Sequence, residues 1–300
     1  MRLLVVTARY PTPDRPAAGA FVRERLGDPG VHARVVAPRS YGGSRWVRFA
    51  RLTWEALTAR GRYDGVEGHF VLPSGPVALL AARLRGLPFV IVAHGTDVRV
   101  SARRSPLHRW LAKWVVRSAD GVVANSRDTA WHVARLGAAA EVIPPGIDLS
   151  RFSPSPRPSQ RTVLYLGGDS FDKGVDVARE LADTLMGPGL TEVDPATVPA
   201  LIAQHDVVLV PSRAEGFGLV AAEAIASGRW VVASAVGGLP DVVTDGQNGT
   251  LVVGRAFRDA LAAVPNYDPL EVAATASRFD VEDHRMGMAH AWARIMAGRR

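Results

Sequence analysis

Apolar residues in the first half of the chain follow two alternating patterns. Short continuous apolar runs, bounded by turn residues, are typical of buried parallel strands. These runs predict strands at 3–7, 31–37, 66–70, 89–93, 121–124 and 141–143. Between them, helical spacing or Ala/Leu-rich composition predicts helices at 19–26, 45–60, 76–85, 105–118 and 127–136. The alternation indicates a parallel sheet with helices on both faces.

A Pro/Ser-rich segment then interrupts the pattern. Residues 153–161 read SPSPRPSQR, with three Pro, three Ser and no apolar side chain, which predicts a linker. The alternation resumes with strands predicted at 162–166, 206–210, 230–233 and 249–253 and helices at 174–185, 198–204, 216–227 and 282–297. We therefore predict a first domain over 1–152 and a second over 162–280. The C-terminal helix, 281–300, is expected to pack back on the first domain.

The predicted architecture is two α/β domains, each built on a parallel sheet, joined by the Pro-rich segment. Ligands of such sheets bind beyond the carboxyl ends of the strands, and here also in the cleft between domains.

Composition excludes several classes of protein. The chain has 300 residues, is 47% hydrophobic and contains no Cys, which excludes a disulfide scaffold, a Cys-ligated metal site and a thiol nucleophile. No apolar run approaches the ~20 residues that span a bilayer. The first residues read as a strand and not as a signal peptide, so the expected location is the cytoplasm.

Charge divides unevenly along the chain. Residues 1–150 hold 22 basic and 11 acidic side chains, whereas residues 151–300 hold 14 and 18. The basic first half favours an anionic partner, which could be a phosphorylated substrate, an acidic lipid surface or a nucleic acid. No nucleic-acid motif is present, and aromatic residues are not interleaved with the basic ones in an RNA-binding pattern, so we expect no nucleic acid.

The stretch with the most specific chemistry begins where the predicted strand 206–210 ends. Glu215 is followed by Gly216 and Gly218 and then by an Ala-rich helix that contains Glu223. Backbone N–H groups at such a helix start bind anions, and phosphate above all. A carboxylate beside them would repel phosphate and is better suited to accept hydrogen bonds from sugar or ribose hydroxyls. Two plainer interpretations stay open, a helix-capping role for Glu215 and a solvated helix position for Glu223.

This region resembles the retaining GT-B glycosyltransferases of the GT4 type. The matching segments are Pro211-Ser212, the run EGFGLVAAEAIASG from residue 215, and VVASAVGGLPDVVTDGQNGTLV from residue 231. Further pieces agree in order along residues 3–254. They are His94-Gly95-Thr96-Asp97, Ala119-Asp120 through Asn125-Ser126, Pro144-Pro145-Gly146-Ile147-Asp148, and Leu166-Gly167-Gly168 through Lys173-Gly174.

The resemblance implies the GT-B fold, an α/β architecture of two Rossmann-like domains whose parallel sheets face each other across a cleft. It also implies a glycosyltransferase that uses a nucleotide-diphosphate sugar as co-substrate. Glu215 would bind hydroxyls of the donor sugar and Glu223 those of the ribose. Backbone N–H groups of Gly216, Phe217, Gly218 and Leu219 would cap the sugar and the β-phosphate, next to Gly167 and Gly168. Lys173 would neutralise the diphosphate, His94 would lie across the cleft near the reacting bond, and Gly19 would lie close to diphosphate and acceptor.

The chemistry can proceed without a metal or other cofactor. A helix N-terminus and Lys173 can stabilise a leaving diphosphate. Retention by double displacement would need a carboxylate nucleophile. We find none, and the family's usual front-face substitution requires none. His94 could instead be a structural histidine at a strand end, and Asp97 could serve only the turn.

Two departures from the family pattern stand out. The family usually has Gly-Arg where this chain has Gly167-Gly168, so one cation of the diphosphate clamp is missing, and Arg213 is the nearest substitute in the sequence. Only 38 residues separate Lys173 from Pro211, so the donor domain is trimmed and the wall around the nucleobase is shortened.

We therefore expect a retaining, metal-independent glycosyltransferase of the 2.4 enzyme class, acting on a glycan, a lipid-linked acceptor or a small molecule. The alternative is a catalytically weak binding or partner protein of the same fold. Basic residues alternate with Trp110 and Trp114 on the predicted helix 105–118. This helix could touch the acidic inner face of a membrane, or it could be an ordinary amphipathic helix with its Trp residues in the core.

Overall fold

The structure is a computed structural model that describes residues 1–15, 18–27 and 30–298. The last two residues of the expected helix 281–300 lie outside this description. Contacts divide the chain into a first unit, residues 1–144 with 284–300, and a second unit, residues 145–283.

The first unit contains six strands and, apart from the final helix, six α-helices among the described residues. Its strands are β1 (Arg2–Thr7), β2 (His32–Val36), β3 (Gly65–His69), β4 (Phe89–Ala93), β5 (Gly121–Ala124) and β6 (Glu141–Val142). Its helices are α1 (Ala20–Arg25), α2 (Arg45–Thr58), α3 (Gly75–Arg85), α4 (Thr96–Arg99), α5 (Pro106–Ser118) and α6 (Arg127–Ala134), with a 3₁₀ turn at Ser101–Arg103.

The second unit contains five strands and the remaining short helices. Its strands are β7 (Val163–Leu166), β8 (Thr184–Met186), β9 (Val207–Val210), β10 (Trp230–Ser234) and β11 (Gly249–Val252). Its helices are α7 (Val175–Leu181), α8 (Val198–Ala203), α9 (Leu219–Ala226), α10 (Leu239–Val242), α11 (Phe257–Ala262) and α12 (Pro269–Ala274), with 3₁₀ turns at Phe171–Lys173, Pro195–Thr197 and Ser277–Phe279. The final helix, α13 (Val281–Ala297), begins in the second unit and continues in the first.

All strands of both sheets are parallel, and in each sheet the order in which successive strands are added reverses once. The strand order is β2-β1-β3-β4-β5-β6 in the first unit and β11-β10-β9-β7-β8 in the second. The order therefore reverses between β1 and β3, and again between β7 and β9. Such switch points open a crevice at the carboxyl ends of the two strands, which is where α/β sheets bind ligands.

The strands form where the sequence is continuously apolar because both sheet faces are covered. All five residues of β4 and all four of β9 are buried. Alternating patterns would be expected only if one face met water. Serine caps start several of the covering helices: Ser105 accepts a hydrogen bond from the His108 N–H, and Ser126 accepts one from the Thr129 N–H.

The final helix completes the core of the first unit. Trp292 is fully buried and packs with Leu3 and Val5 of β1. A Cβ on Gly65 would lie 2.5 Å from the Trp292 ring, so the start of β3 has to be glycine for this indole to fit.

The expected domain boundary at 152 and the linker predicted at 153–161 need correction. The second unit begins at Pro145, because Ile147 and Phe152 are buried in its core. The Pro/Ser-rich segment is packed against this unit. The buried guanidinium of Arg229 donates to the carbonyls of Ser155 (2.8 Å) and Pro156 (3.0 Å).

Two elements differ from the predicted ones. The helix expected at 174–185 ends at Leu181, and Thr184–Met186 forms strand β8 beside β7. Helix α9 begins at Leu219 and not at 216, because Gly218 has a positive φ of 109°. No helix in the described part of the chain is long and apolar enough to cross a membrane.

Candidate functional site

The loop that follows β9 leads into the first turn of helix α9. No described residue accepts a hydrogen bond from the N–H groups of Gly216, Phe217, Gly218 or Leu219. The loop is held from behind, since the Gly238 N–H donates to the Glu215 carbonyl and a Cβ on Gly238 would lie 2.4 Å from the Gly216 carbonyl oxygen. A fixed loop with free N–H groups at a helix start is suited to bind an anion.

Lys173 reaches this loop from the neighbouring strand. It ends the 3₁₀ turn Phe171–Lys173 after β7, and a Cβ on Gly174 would lie 2.0 Å from the Pro211 carbonyl oxygen. This close backbone approach joins the loops after β7 and β9, on the two sides of the switch point. A carbonyl hydrogen bond reinforces it, from the Arg213 N–H to Asp172 at 2.8 Å.

The two loops place opposite charges together. Lys173 Nζ lies 2.8 Å from Glu215 Oε2, and the Ser212 hydroxyl donates to the same oxygen at 3.2 Å. The Lys173 side chain is 42% exposed, so its ammonium remains accessible from solvent. The two loops therefore bring a cation, a carboxylate and free backbone N–H groups together at one switch point.

Glu223 lies in the second turn of α9. It is the fifth residue of the helix, and it is half-buried. Its backbone carbonyl accepts hydrogen bonds from the Ser227 N–H and hydroxyl.

Gly167 and Gly168 are covered by a turn that the sequence analysis did not assign. The Gly167 N–H donates to Met186, and the Asp169 N–H donates to Pro188. A Cβ on Gly187 would lie 1.7 Å from the Gly167 carbonyl oxygen. Two backbone N–H groups in this part of the expected phosphate clamp, those of Gly167 and Asp169, are therefore hydrogen-bonded within the protein.

Arg213 is engaged with a partner of its own. Its guanidinium donates to both carboxylate oxygens of Asp176 at 2.7 Å and stacks on the Phe171 ring at 3.8 Å. The Arg213 hydrogen bond lowers the pKa of Asp176 to about 2. Three of the five N–H donors of Arg213 are thus engaged by Asp176 and the Phe171 carbonyl, and this engagement does not favour Arg213 as the missing cation.

A cavity of about 540 Å³ lies at the carboxyl ends of β9, β10 and β11, and the Arg213–Asp176 pair is part of its lining. Its lining includes Ser234, Arg255 and Arg258.

The first unit gathers aromatic and histidine side chains around His94, which follows β4. The ring of Phe21 lies 4.8 Å from the His94 ring, and that of Phe70 lies 4.4 Å away. His94 Nε2 lies 3.1 Å from Nδ1 of His69. Burial, reinforced by the charge of His69, holds the pKa of His94 well below its usual value.

Asp97 has the turn-forming role that the sequence left open. Its carboxylate accepts hydrogen bonds from the backbone N–H groups of Val71 (2.6 Å) and His94 (3.0 Å). Burial raises the pKa of Asp97 to about 6. It therefore anchors the loops after β3 and β4, and acts on His94 through the backbone.

Gly19 caps α1 and lies against the loop after β1. It has a φ of 68°, and a Cβ there would lie 2.5 Å from the Arg9 carbonyl oxygen. Only glycine fits, and the helix that starts here brings Phe21 onto His94.

The sequence analysis missed Glu67 and His69, which are buried at the end of β3 behind His94. The sequence did hold a signal, because Glu67 and His69 are polar residues in a predicted strand that is buried on both faces. Polar side chains in such a strand are rarely buried without partners, so they indicate a hydrogen-bonded group.

The two sheets, each with a switch point and its loops, define a protein of the GT-B architecture. Similar folds include Anabaena HepE in complex with UDP-glucose, with a TM-score of 0.76 at 20% identity over 98% of this chain and 100% of that one. Sucrose-phosphate synthase from Thermosynechococcus elongatus has a TM-score of 0.76 at 19% identity, over 99% of both chains.

The sequence comparisons identify the family. Residues 2–151 match the model of Glycosyltransferase Family 4, and residues 155–265 match that of Glycosyl transferases group 1. The chain belongs to this glycosyltransferase family.

Two relatives are D-inositol 3-phosphate glycosyltransferases. That of Geodermatophilus obscurus is 33% identical over an alignment that covers 72% of this chain and 61% of the relative. That of Kribbella flavida is 32% identical over an alignment that covers 79% of this chain and 73% of the relative. The chain thus spans less than two thirds of the first relative's length.

Proposed function

We propose that the protein transfers a sugar from a nucleotide-diphosphate sugar to an acceptor with retention of anomeric configuration. The observation that carries this proposal is the ion pair of Lys173 and Glu215 beside the free N–H groups of 216–219. A leaving diphosphate needs positive charge, and a sugar needs hydroxyl acceptors. Both are present at one switch point of the second unit.

In this mechanism the N–H groups and Lys173 stabilise charge on the departing diphosphate, so no metal ion is required. Glu215 accepts hydrogen bonds from the sugar hydroxyls, and Glu223 accepts those of the ribose. His94 acts near the reacting bond. Lys173 can contact the phosphate and keep Glu215 as a second partner, because an ammonium has three donors.

An anionic acceptor is the first class to test. The relatives named above act on an inositol phosphate, and the excess of basic residues in the first half of this chain favours a phosphorylated acceptor. We propose a phosphorylated polyol for this position.

The covering of Gly167 and the engagement of Arg213 support the second candidate, a catalytically weak protein that binds nucleotide sugars. One assay separates the two. The protein is incubated with UDP-, GDP-, ADP- and dTDP-sugars, with and without inositol phosphate, and product is followed by NMR. An α-linked product from an α-linked donor supports a retaining transferase. Binding without turnover supports the weak binder, and no binding contradicts both.

We further propose peripheral contact with an acidic membrane surface. Trp110 and Trp114 of α5 are 60% and 39% exposed and stack on each other, so they are not the core residues of an ordinary amphipathic helix. Arg109, Lys113 and Arg117 share this helix. On the same unit, Trp46 and Trp54 of α2 are about equally exposed, at 70% and 71%. Exposed Trp beside basic residues is typical of interfacial helices.

A further inference from the structure

Three side-chain contacts lead from the final helix to His94, of which the first two are buried and the third is partly buried. The Trp292 indole N–H donates to Glu67 Oε2 at 3.0 Å. Glu67 Oε1 lies 2.8 Å from His69 Nε2, and His69 Nδ1 lies 3.1 Å from His94 Nε2. Glu67 and His69 are 0% and 1% exposed. All four side chains belong to the first unit.

The chemistry of these groups fixes the protons. An indole N–H can only donate, and a carboxylate can only accept. His69 Nε2 therefore carries a proton, which it donates to Glu67. Only one proton fits between His69 Nδ1 and His94 Nε2. When both rings are neutral, this proton must reside on His94 Nε2. Nδ1 of His94 then carries a lone pair and no proton.

A third proton on the two rings has one place to enter, which is Nδ1 of His94. The bridging proton can then pass from His94 Nε2 to His69 Nδ1. The positive charge thereby moves to His69, directly beside the Glu67 carboxylate, and His94 stays neutral with its proton on Nδ1.

We propose that Glu67 and His69 form a proton relay that fixes the tautomer of His94 and lets its Nδ1 exchange a proton with solvent or a substrate hydroxyl. Glu67 and His69 are positioning residues, since they act through His94. The inference rests on the proposed function, because it assigns a state to a ring expected near the reacting bond.

Other charged groups also face His94. Arg9 from the loop after β1 and His284 from α13 oppose a positive charge on the ring, whereas Glu67 favours it. The Asp97 carboxylate contacts the His94 backbone N–H. Glu67 is the buried carboxylate that contacts the imidazole pair, so its removal should have the largest effect on the pair's titration.

The first test needs no substrate. Protein labelled with ¹⁵N-histidine gives long-range ¹H–¹⁵N spectra that report which ring nitrogen is protonated, with His94 assigned by its loss in His94→Gln. At pH 8 we expect a proton on Nε2 of His94 and none on Nδ1. A proton on Nδ1 at this pH overturns the relay, and this result requires no other variant to fold.

The second test removes the charge. Glu67→Gln keeps an acceptor for His69, and Asp64→Asn, just before the same strand, is the matched control. In Glu67→Gln the titration midpoint of the two histidines should fall by about one pH unit or more. In Asp64→Asn the midpoint should equal that of the wild type. A smaller fall overturns the proposal.

Kinetics separate the relay from the proposed function. With an identified donor, Glu67→Gln should lower kcat more than it changes KM, and the inflection of kcat against pH should move to lower pH. If His94→Gln abolishes transfer while Glu67→Gln leaves the pH profile unchanged, the relay is wrong and the function stands. If the spectra show the relay and no nucleotide sugar is turned over, the function is wrong and the relay stands.

Discussion

Lys173 Nζ lies 2.8 Å from Glu215 Oε2, although the two residues are 42 positions apart in the chain. Each lies in a loop on one side of the β7–β9 switch point, and the contact of Gly174 with Pro211 holds the loops together. The pair turns two separate sequence motifs into one candidate site. Four predictions test the parts of this account.

Glu215→Gln should lower kcat while the protein stays folded. The amide keeps the size of the side chain but loses a charged acceptor, worth about 1.5–3 kcal/mol, which corresponds to about ten- to a hundredfold in kcat. Steady-state kinetics and circular dichroism measure the two effects. Glu180→Gln, on the exposed face of α7, is the control. Unchanged kcat in Glu215→Gln would remove its role in sugar binding.

Lys173→Ala should weaken binding of a nucleoside diphosphate by about tenfold or more and leave nucleoside binding nearly unaltered, because a charge-assisted contact with phosphate is lost. Isothermal titration with both ligands measures the difference. The chain offers Lys113→Ala, in the other unit, as a matched lysine control. Equal losses for both ligands would contradict a phosphate role.

Arg213→Gln should act differently from Lys173→Ala. Its guanidinium holds Asp176 and Phe171, so we expect a lower melting temperature and a smaller loss of diphosphate affinity than in Lys173→Ala. Thermal unfolding and titration of the same sample test this. A larger loss of affinity than in Lys173→Ala would restore Arg213 as the missing cation of the clamp.

Replacing Trp110 and Trp114 together by Ser should reduce binding to vesicles that contain anionic phosphatidylglycerol. The exposed rings supply apolar area, and the basic residues supply a salt-sensitive attraction. Cosedimentation at low and high salt measures both parts. Trp131→Ser is the control, since Trp131 is 53% exposed on another helix. Equal binding by all three proteins would exclude this surface as the contact.

The sequence predicted the parallel strands well because continuous apolar runs report burial on both faces. The predictions from the sequence were wrong where the local pattern and the tertiary packing disagree. The apolar spacing of 45–60 gave the right helix, but Trp46 and Phe49 point outward, since periodicity does not say which partner covers a face. Strand β8 was missed because three residues carry too little pattern.

The candidate site was only partly predictable for a similar reason. Motif order located Glu215, Lys173 and the glycines, since each follows a strand end. The engagement of Arg213 by Asp176 and the relay behind His94 join distant segments, and no local signal encodes such partners. The Pro/Ser-rich composition of 153–161 likewise predicts a linker and gives no sign that its backbone accepts hydrogen bonds from Arg229.

The central claim is that the N–H groups of 216–219, beside Lys173, bind a diphosphate. Hydrogen–deuterium exchange of these amides, measured by NMR with UDP, GDP, ADP and dTDP and with the matching nucleosides, tests it most directly. We predict slower exchange at residues 216–219 with at least one nucleoside diphosphate and not with its nucleoside. Unchanged exchange at these four amides, while a diphosphate binds elsewhere on the protein, would contradict the account.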